Sequence, residues 1–444
     1  MENIGGYGIY DYVVVVGFII ATLFVANKNP HYIIYLLPAA GSFWFFIDFL
    51  TMITPIKIVP AVFILATLNK GRGYLRFKND MWAQGMLILF CIYCIVGLAY
   101  TLGFQGFESY SPYKRVVIQF MTYLNQLLIY FILKVEIKTS KDLYVFFKVF
   151  IITTTFLCLY GFYQYIAFEL GLPFRGIVYT ADQVSAAYDS YYQFFRINSL
   201  ANEPKRLGNI LVMGILMLLA CKRGGNKWIN ILIIVHLACG VLTYSTTLFI
   251  LLGILVPCLL ILSFIDKELK LFKSVIFGAF LISIPLLLIF RERIFTIYNV
   301  RVVGQIQYAQ HEHSYYLDKY AFDYFKENWQ GMLIGYGLGN YNFILEKHIG
   351  AGLNSFGLEI MNSGVLNLVY DFGYIGTIIF LWPLIAGIIQ PYRMNDPPIL
   401  RKSKKPLYLA VLIVSFLLAV WHWNFMILGA LNHELDREQN NSFS

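Results

Sequence analysis

Charge is what this chain has least of. Asp, Glu, Lys and Arg make up 13% of its 444 residues, against about 25% in soluble domains, which excludes a water-soluble globular fold. Cysteine is also sparse: Cys91, Cys94, Cys158, Cys221, Cys239 and Cys258 all lie within or beside apolar segments, and none sits in a polar loop. A disulfide scaffold is therefore not expected, and the Cys91/Cys94 pair has no second ligand pair to build a zinc site. The glycine run Gly335-Tyr-Gly-Leu-Gly339 lacks the Lys-Ser/Thr of a phosphate loop, so no nucleotide site is expected there. Heptad runs, low-complexity tracts and soluble-type repeats are missing as well. Met1 to Asp11 lacks the basic start and small-residue cleavage site of a secretory signal, so the first apolar run is expected to remain in the membrane. No acidic residue falls in the middle of a clear apolar run, which counts against a proton-coupled transporter.

What the chain has is hydrophobicity. Apolar residues make up 59% and mean hydropathy is +0.64. With about 20 residues per crossing, twelve crossings use roughly 240 residues and leave about 200 for loops. The runs read as spans are Tyr12 to Ala26, Tyr32 to Phe49, Ile56 to Leu68, Met81 to Leu102, Val116 to Leu133 and Leu143 to Phe168. They continue with Leu207 to Cys221, Ile229 to Tyr244, Leu248 to Ile265, Ser274 to Phe290, Val365 to Ile389 and Leu407 to Leu431. Pro38, Pro55, Pro60 and Lys57 interrupt the second and third, where one span and a re-entrant piece give eleven crossings instead. The expectation is an all-α polytopic membrane protein with about twelve spans in one integral membrane domain, residues 1–444.

The net charge of +9 is topological rather than a nucleic-acid footprint. Basic residues crowd the loops Lys70 to Lys78, Lys134 to Lys141, Lys222 to Lys227, Lys267 to Lys273 and Arg393 to Lys405, which the positive-inside bias assigns to the cytoplasm. Two long polar segments, 169–204 and 291–364, then fall outside, and long loops of this kind usually carry function. In the later one Leu317, Tyr320, Ala321, Tyr324 and Phe325 recur at helical spacing, predicting an amphipathic helix suited to a headgroup layer or to packing. The glycine run predicts a tight turn before a short helix over 340–348.

Two stretches carry the candidate chemistry. In Arg196 to Arg206 a polar loop enters a helix at Pro204, a residue suited to a first helical position. Glu203 would stand at the positive end of that helix, and Lys205 and Arg206 just inside it oppose the dipole. Two cations there are easier to understand with a bound anion such as a diphosphate. The alternative is that both reach lipid phosphates while Glu203 serves as a cap. Arg291, Arg293 and Arg301 open the large loop, offering planar forks for phosphate oxygens or for headgroups. His311 and His313 flank Glu312 and could act as bases; alternating histidines in an aromatic loop are more often surface groups, and no metal is expected. Lys57, Gln119, Asn125, Lys148, Gln164, His236, His422 and Asn424 are polar at or near membrane depth, where lysines can snorkel and the others can bond neighbouring helices.

Taken together, the spans, the Arg196 to Arg206 stretch, Gly335 to Tyr341, and the segment Asn362 to Gly376 that closes the large loop resemble the O-antigen polymerase and ligase superfamily. The resemblance implies a membrane glycosyltransferase of the C-type fold with short helices in a large late extracytoplasmic loop. It also implies an undecaprenyl-diphosphate-linked oligosaccharide donor and residence in the bacterial cytoplasmic (inner) membrane. A flippase and a chain-length regulator are its expected associates, without cofactor or nucleic acid. Leu242 to Leu248 is similar to a family segment that usually carries Arg after Ser245, where this chain has Thr246. Many ligases have His where this chain has Asn362. Both departures favour a polymerase, with an O-antigen ligase or a lipid-linked oligosaccharide flippase as alternatives. Glu203 and Arg196 are then the expected catalytic residues, Lys205, Arg206, Arg291, Arg293 and Arg301 the diphosphate ligands, and His311, His313 and Asn362 base or acceptor contacts.

Overall fold

The computed structural model describes residues 9–45, 47–49, 51–70, 80–103, 111–174, 188–189, 194–201, 203–222, 226–269, 313–349, 363–392, 396–418 and 422–432. Among these residues the protein is helical apart from two small antiparallel ribbons, Ile47–Phe49 with Thr51–Ile53 and Tyr188–Asp189 with Phe194–Phe195. The helices are α1 (Ile9–Lys28), α2 (Ile33–Ser42), α3 (Pro55–Thr67), α4 (Met81–Thr101), α5 (Pro112–Glu136), α6 (Ser140–Leu170) and α7 (Pro204–Cys221). After them come α8 (Lys227–Leu242), α9 (Thr246–Ile265), α10 (His313–Glu327), α11 (Tyr341–Ile349), α12 (Gly364–Ile389), α13 (Pro398–Leu417) and α14 (His422–Leu431). Seven described helices (α1, α4, α5, α6, α7, α9 and α12) are long and apolar enough to cross a membrane, as a polytopic membrane protein requires.

Local chemistry sets the helix ends. Asp80 caps α4 by accepting from Ala83 N–H, Ser245 caps α9 through Leu248 N–H, and Ser363 caps α12 through Leu366 N–H. α6 begins in a reciprocal capping box between Thr139 and Asp142 and ends at Gly171 in the left-handed region, where a side chain would be strained. Exposed Ile, Phe and Trp side chains, such as Ile88, Ile95, Phe156, Ile254, Ile378 and Trp382, give the outer helices the apolar surface a bilayer covers. α7 is the exception: 78% of its apolar window is buried, against 28% for α1, α4 and α9. It is the central helix, and it packs between α6, α8 and α13.

The basic loops gather at one end of the bundle. Lys134 Nζ lies 2.6 Å from Asp80, joining the end of α5 to the start of α4. Lys405 and Arg401 reach Asp266 and Glu268 at 2.8 and 3.4 Å, and His31 lies 3.2 Å from Asp142. Asp80 and Lys134 also line one cavity with Asp396, Lys404 and Asn432. Burial pushes the Asp80 carboxyl up, but bonds from Lys134, Tyr130 and Ala83 N–H outweigh it and hold the group below the ordinary range.

Three expected spans and one loop take other forms. The second run breaks: α2 stops at Ser42 after ten residues and the chain turns through the first ribbon into α3. At 1.5 Å per residue these helices are about 15 and 20 Å long, so neither alone crosses the roughly 30 Å core. The last run divides into α13 and α14 at Leu418, which is extended; a continuous apolar stretch reads alike whether it holds one helix or two. The expected loop Arg393 to Lys405 is helical from Pro398, a residue preorganised for a first turn. The expected run Ser274 to Phe290 lies outside the described residues.

Candidate functional site

The segment before α7 is held by a glutamine in the membrane helix α6. Gln164 Oε1 accepts from Ser199 N–H at 2.8 Å and Asn198 N–H at 3.2 Å, while its amide donates to Asn198 Oδ1 at 2.8 Å. Ser199 Oγ donates to Leu157 O. So tied, Ser199 adopts a left-handed backbone (φ 51°), as does Tyr244 (φ 44°) in the turn between α8 and α9. These are the non-glycine residues in that region among the described residues, and such strain persists only where surrounding contacts impose it. The two turns touch: Ile197 N–H donates to Leu242 O, and Arg196 Nε to Thr243 O, both at 3.3 Å. Two of the stretches singled out in the sequence therefore meet in space.

α7 starts as expected, with Pro204 in its first turn and Glu203 as the extended N-cap. Glu203 makes no side-chain capping bond, which sets aside the cap reading. Its carboxylate instead pairs with Lys205 Nζ at 3.1 Å. Burial pushes the Glu203 carboxyl up, but Arg206, Lys205 and Arg196 pull it down further, so it stays below the ordinary carboxylate range. The Arg206 guanidinium stacks 4.5 Å above the Trp44 ring, and Trp44 N–H donates to Leu200 O at 2.7 Å. The tip of the α2–α3 pair is thereby fastened to the loop that begins α7. Lys57 of α3 and His422 of α14 lie within charge range of Arg206.

Of the ten predicted site residues, the structure brings Arg196, Glu203, Lys205 and Arg206 into one cluster: three cations around one carboxylate. Arg291, Arg293, Arg301, His311 and Asn362 lie outside the described residues. His313 opens α10.

A second polar centre lies where the glycine run meets the bundle. Gly335, Gly337 and Gly339 all have positive φ, forming the expected turn before α11. Gly339 N–H donates to Asp371 Oδ1 at 2.8 Å, and Tyr123 Oη donates to Asp371 Oδ2 at 2.9 Å. Arg115 donates to Tyr341 Oη at 2.9 Å and stacks on its ring. Tyr336 N–H reaches Tyr370 O, and Asn340 donates to Gly97 O. These bonds dock α10 and α11 onto α4, α5 and α12. Asp371 is fully buried in α12, two turns from its start and so away from the middle of the span. Its bonding marks a docking role. Tyr123→Phe is expected to cost about 1–3 kcal/mol by stripping a buried carboxylate oxygen of its best donor, read as a lower unfolding midpoint in detergent; an unchanged midpoint would show that the bond contributes nothing.

The other polar residues at depth are mostly absorbed by helix contacts. His236 bonds Thr154 Oγ1 and Leu232 O, Asn125 donates to Ile56 O, and Lys148 is exposed. Among the described residues no three His, Cys, Asp or Glu side chains are grouped as metal ligands. Comparison with protein-family models, curated proteins and solved structures yields no match.

Proposed function

We propose that this protein is a polysaccharide polymerase of the bacterial cytoplasmic membrane with a C-type glycosyltransferase fold. It would transfer glycan from an undecaprenyl diphosphate carrier to the acceptor sugar of another lipid-linked repeat unit. The observation carrying this reading is the convergence of Arg196, Lys205 and Arg206 on one carboxylate at the start of the central helix. That cluster holds more positive charge than Glu203 neutralises. A diphosphate-activated sugar needs chiefly a stabilised leaving group, and preorganised cations supply it without nucleotide or metal.

In the step proposed, the acceptor hydroxyl oxygen bonds to the anomeric carbon as the carbon–oxygen bond to phosphate breaks, inverting that centre. The electron pair leaves on the diphosphate, held by Arg196, Lys205 and Arg206. The hydroxyl proton passes to Glu203, which is ionised at neutral pH because its cationic neighbours favour the carboxylate. Arg291, Arg293 and Arg301 remain further diphosphate ligands in this reading, with His311, His313 and Asn362 as contacts to the acceptor. Transfer is favoured over flipping by the docking of α10 and α11 through Asp371 and Arg115, since a passage for lipid gains nothing from an ordered loop above it.

The test uses the purified full chain in vesicles with lipid-linked repeat units, following the ladder of lengthened chains by electrophoresis. Arg196→Ala is expected to reduce lengthening by at least about 10-fold. Full lengthening by that variant would remove Arg196 from the mechanism. Movement of labelled lipid across the bilayer without any lengthening would instead support the flippase reading.

A further inference from the structure

The docked part of the large loop, 313–349, turns some apolar side chains inward and leaves others outside. Ala321, Met332 and Leu345 are buried with Val369 and Tyr370 of α12. Phe322, Trp329, Leu333 and Ile334 stay exposed, Ile334 at 64%. Docking onto α12 uses the opposite side of the segment, so it does not account for this edge. Exposed Lys326 lies among these residues, its ammonium 4.3 Å above the Phe322 ring. A group of large apolar side chains left outside marks a lipid or protein contact.

The level of this edge in the bundle follows from backbone contacts. A Cβ on Gly373 would strike Leu333 O and Ile334 C, and one on Gly337 would strike Gly97 N. Residues 333–337 therefore lie against α12 at Gly373 and α4 at Gly97, both inside helices long and apolar enough to cross a membrane. α4 exposes Ile88, Ile92 and Ile95 before Gly97, and Tyr100 and Leu102 beyond it. On α12 no side chain from Gly364 to Tyr374 is exposed, whereas Ile375, Ile378, Ile379 and Trp382 are, at the spacing of one helix face. Leu333 and Ile334 thus stand where the exposed apolar face of α12 begins, at a level where α4 still presents apolar side chains outward. The turn's backbone is also satisfied by neighbouring protein. Leu333 N–H donates to Gln330 O, Tyr336 N–H to Tyr370 O, Leu338 N–H to Tyr93 O and Gly339 N–H to Asp371 Oδ1. Non-helical chain is tolerated at membrane depth on that condition.

We infer that residues 326–334 reach into the lipid leaflet opposite the basic loops, with Leu333 and Ile334 among the acyl chains and Trp329 and Lys326 toward the headgroups. Trp and Lys suit that border, since each joins an apolar body to a polar end. A lipid surface is favoured over a protein partner because the edge shares its level with the exposed apolar faces of α4 and α12, which a bilayer covers. The large loop is then anchored twice, by its bonds to the bundle and by its own apolar edge in the leaflet. The inference rests on the membrane-spanning reading of α4 and α12 and is independent of glycosyl transfer.

The test reads lipid contact by fluorescence. The full chain is placed in phosphatidylcholine nanodiscs, with and without bromine at the middle of the acyl chains, and the emission added by a new tryptophan is taken as variant minus native. Ile334→Trp is expected to lose more than about half of its added emission to the brominated lipid. Ile378→Trp, on the exposed face of α12, should lose at least as much, while Lys347→Trp, exposed on α11, should keep nearly all of it. Leu333→Trp repeats the measurement should Ile334→Trp fail to fold. Quenching of Ile378→Trp without quenching at 333 or 334 would overturn the inference and leave the spans standing, because the edge would then be covered by protein or water. Quenching at none of these positions would overturn the membrane reading of α12 and the inference with it.

Discussion

Arg206→Ala is expected to slow chain lengthening about 100-fold, the scale of losing one preorganised donor to a charged transition state, or about 2.7 kcal/mol. Arg206→Lys should recover only part of this, falling about 10-fold short of the native residue. Lysine keeps the charge but loses the planar fork suited to phosphate oxygens and the stacking on Trp44 at 4.5 Å. Stability should move differently. Arg206 Nε has no hydrogen-bond partner among the described residues, and its neighbours include Lys57 and His422. Alanine removes an unsatisfied donor and some repulsion but also the stacking on Trp44 and the attraction to Glu203, so the unfolding midpoint in detergent is expected to change little while activity collapses. A residue kept for packing would lose both together. The measurement pairs a lengthening ladder with a melting curve on one preparation, and full lengthening by Arg206→Ala would end the diphosphate reading.

How far the sequence reveals this arrangement depends on the kind of signal. Long runs such as Met81 to Leu102 and Val365 to Ile389 become helices because each is apolar over a length only a helix can satisfy inside a bilayer. Pro204 announces the start of α7 because its ring favours a first turn. The break at Leu418 is silent, since the residues on both sides stay apolar and composition does not record direction, whereas Pro38, Pro55, Pro60 and Lys57 mark the stretch around Ser42 as interrupted. Within the site, Arg196 to Arg206 is legible as charges opposing a helix dipole. Its partners are not. Lys57 and His422 lie more than 100 positions away in the chain, and only the return of two short helices to a common level brings them to Arg206. Asp371 was readable in principle, as a carboxylate inside an apolar run. Its meaning depends on Gly339 and Tyr123, which no spacing in the chain connects.

Gly337→Ala should destabilise the docked loop more than any surface change, by about 4 kcal/mol when a strained φ and a backbone clash are combined. Gly337 has φ +82°, and a Cβ there would come within 2.3 Å of Gly97 N and 2.4 Å of Gly97 Cα. Both are backbone atoms of α4, so no side-chain rotation relieves the contact. The glycine run and α4 meet backbone to backbone here, and Leu338 N–H donates to Tyr93 O across the same seam. Moving the loop outward by the width of a methyl group would also stretch Gly339 N–H from Asp371 and Asn340 from Gly97 O. Gly85→Ala on the same helix serves as the control: nothing lies within 4 Å of its added Cβ, and alanine is the better helix former. If α10 and α11 are docked by these bonds, Gly337→Ala will expose residues 313–349 to protease and abolish lengthening, while Gly85→Ala keeps native resistance and rate. A Gly337→Ala protein that resists protease and melts like the native chain would show that α10 and α11 are held by something other than this seam.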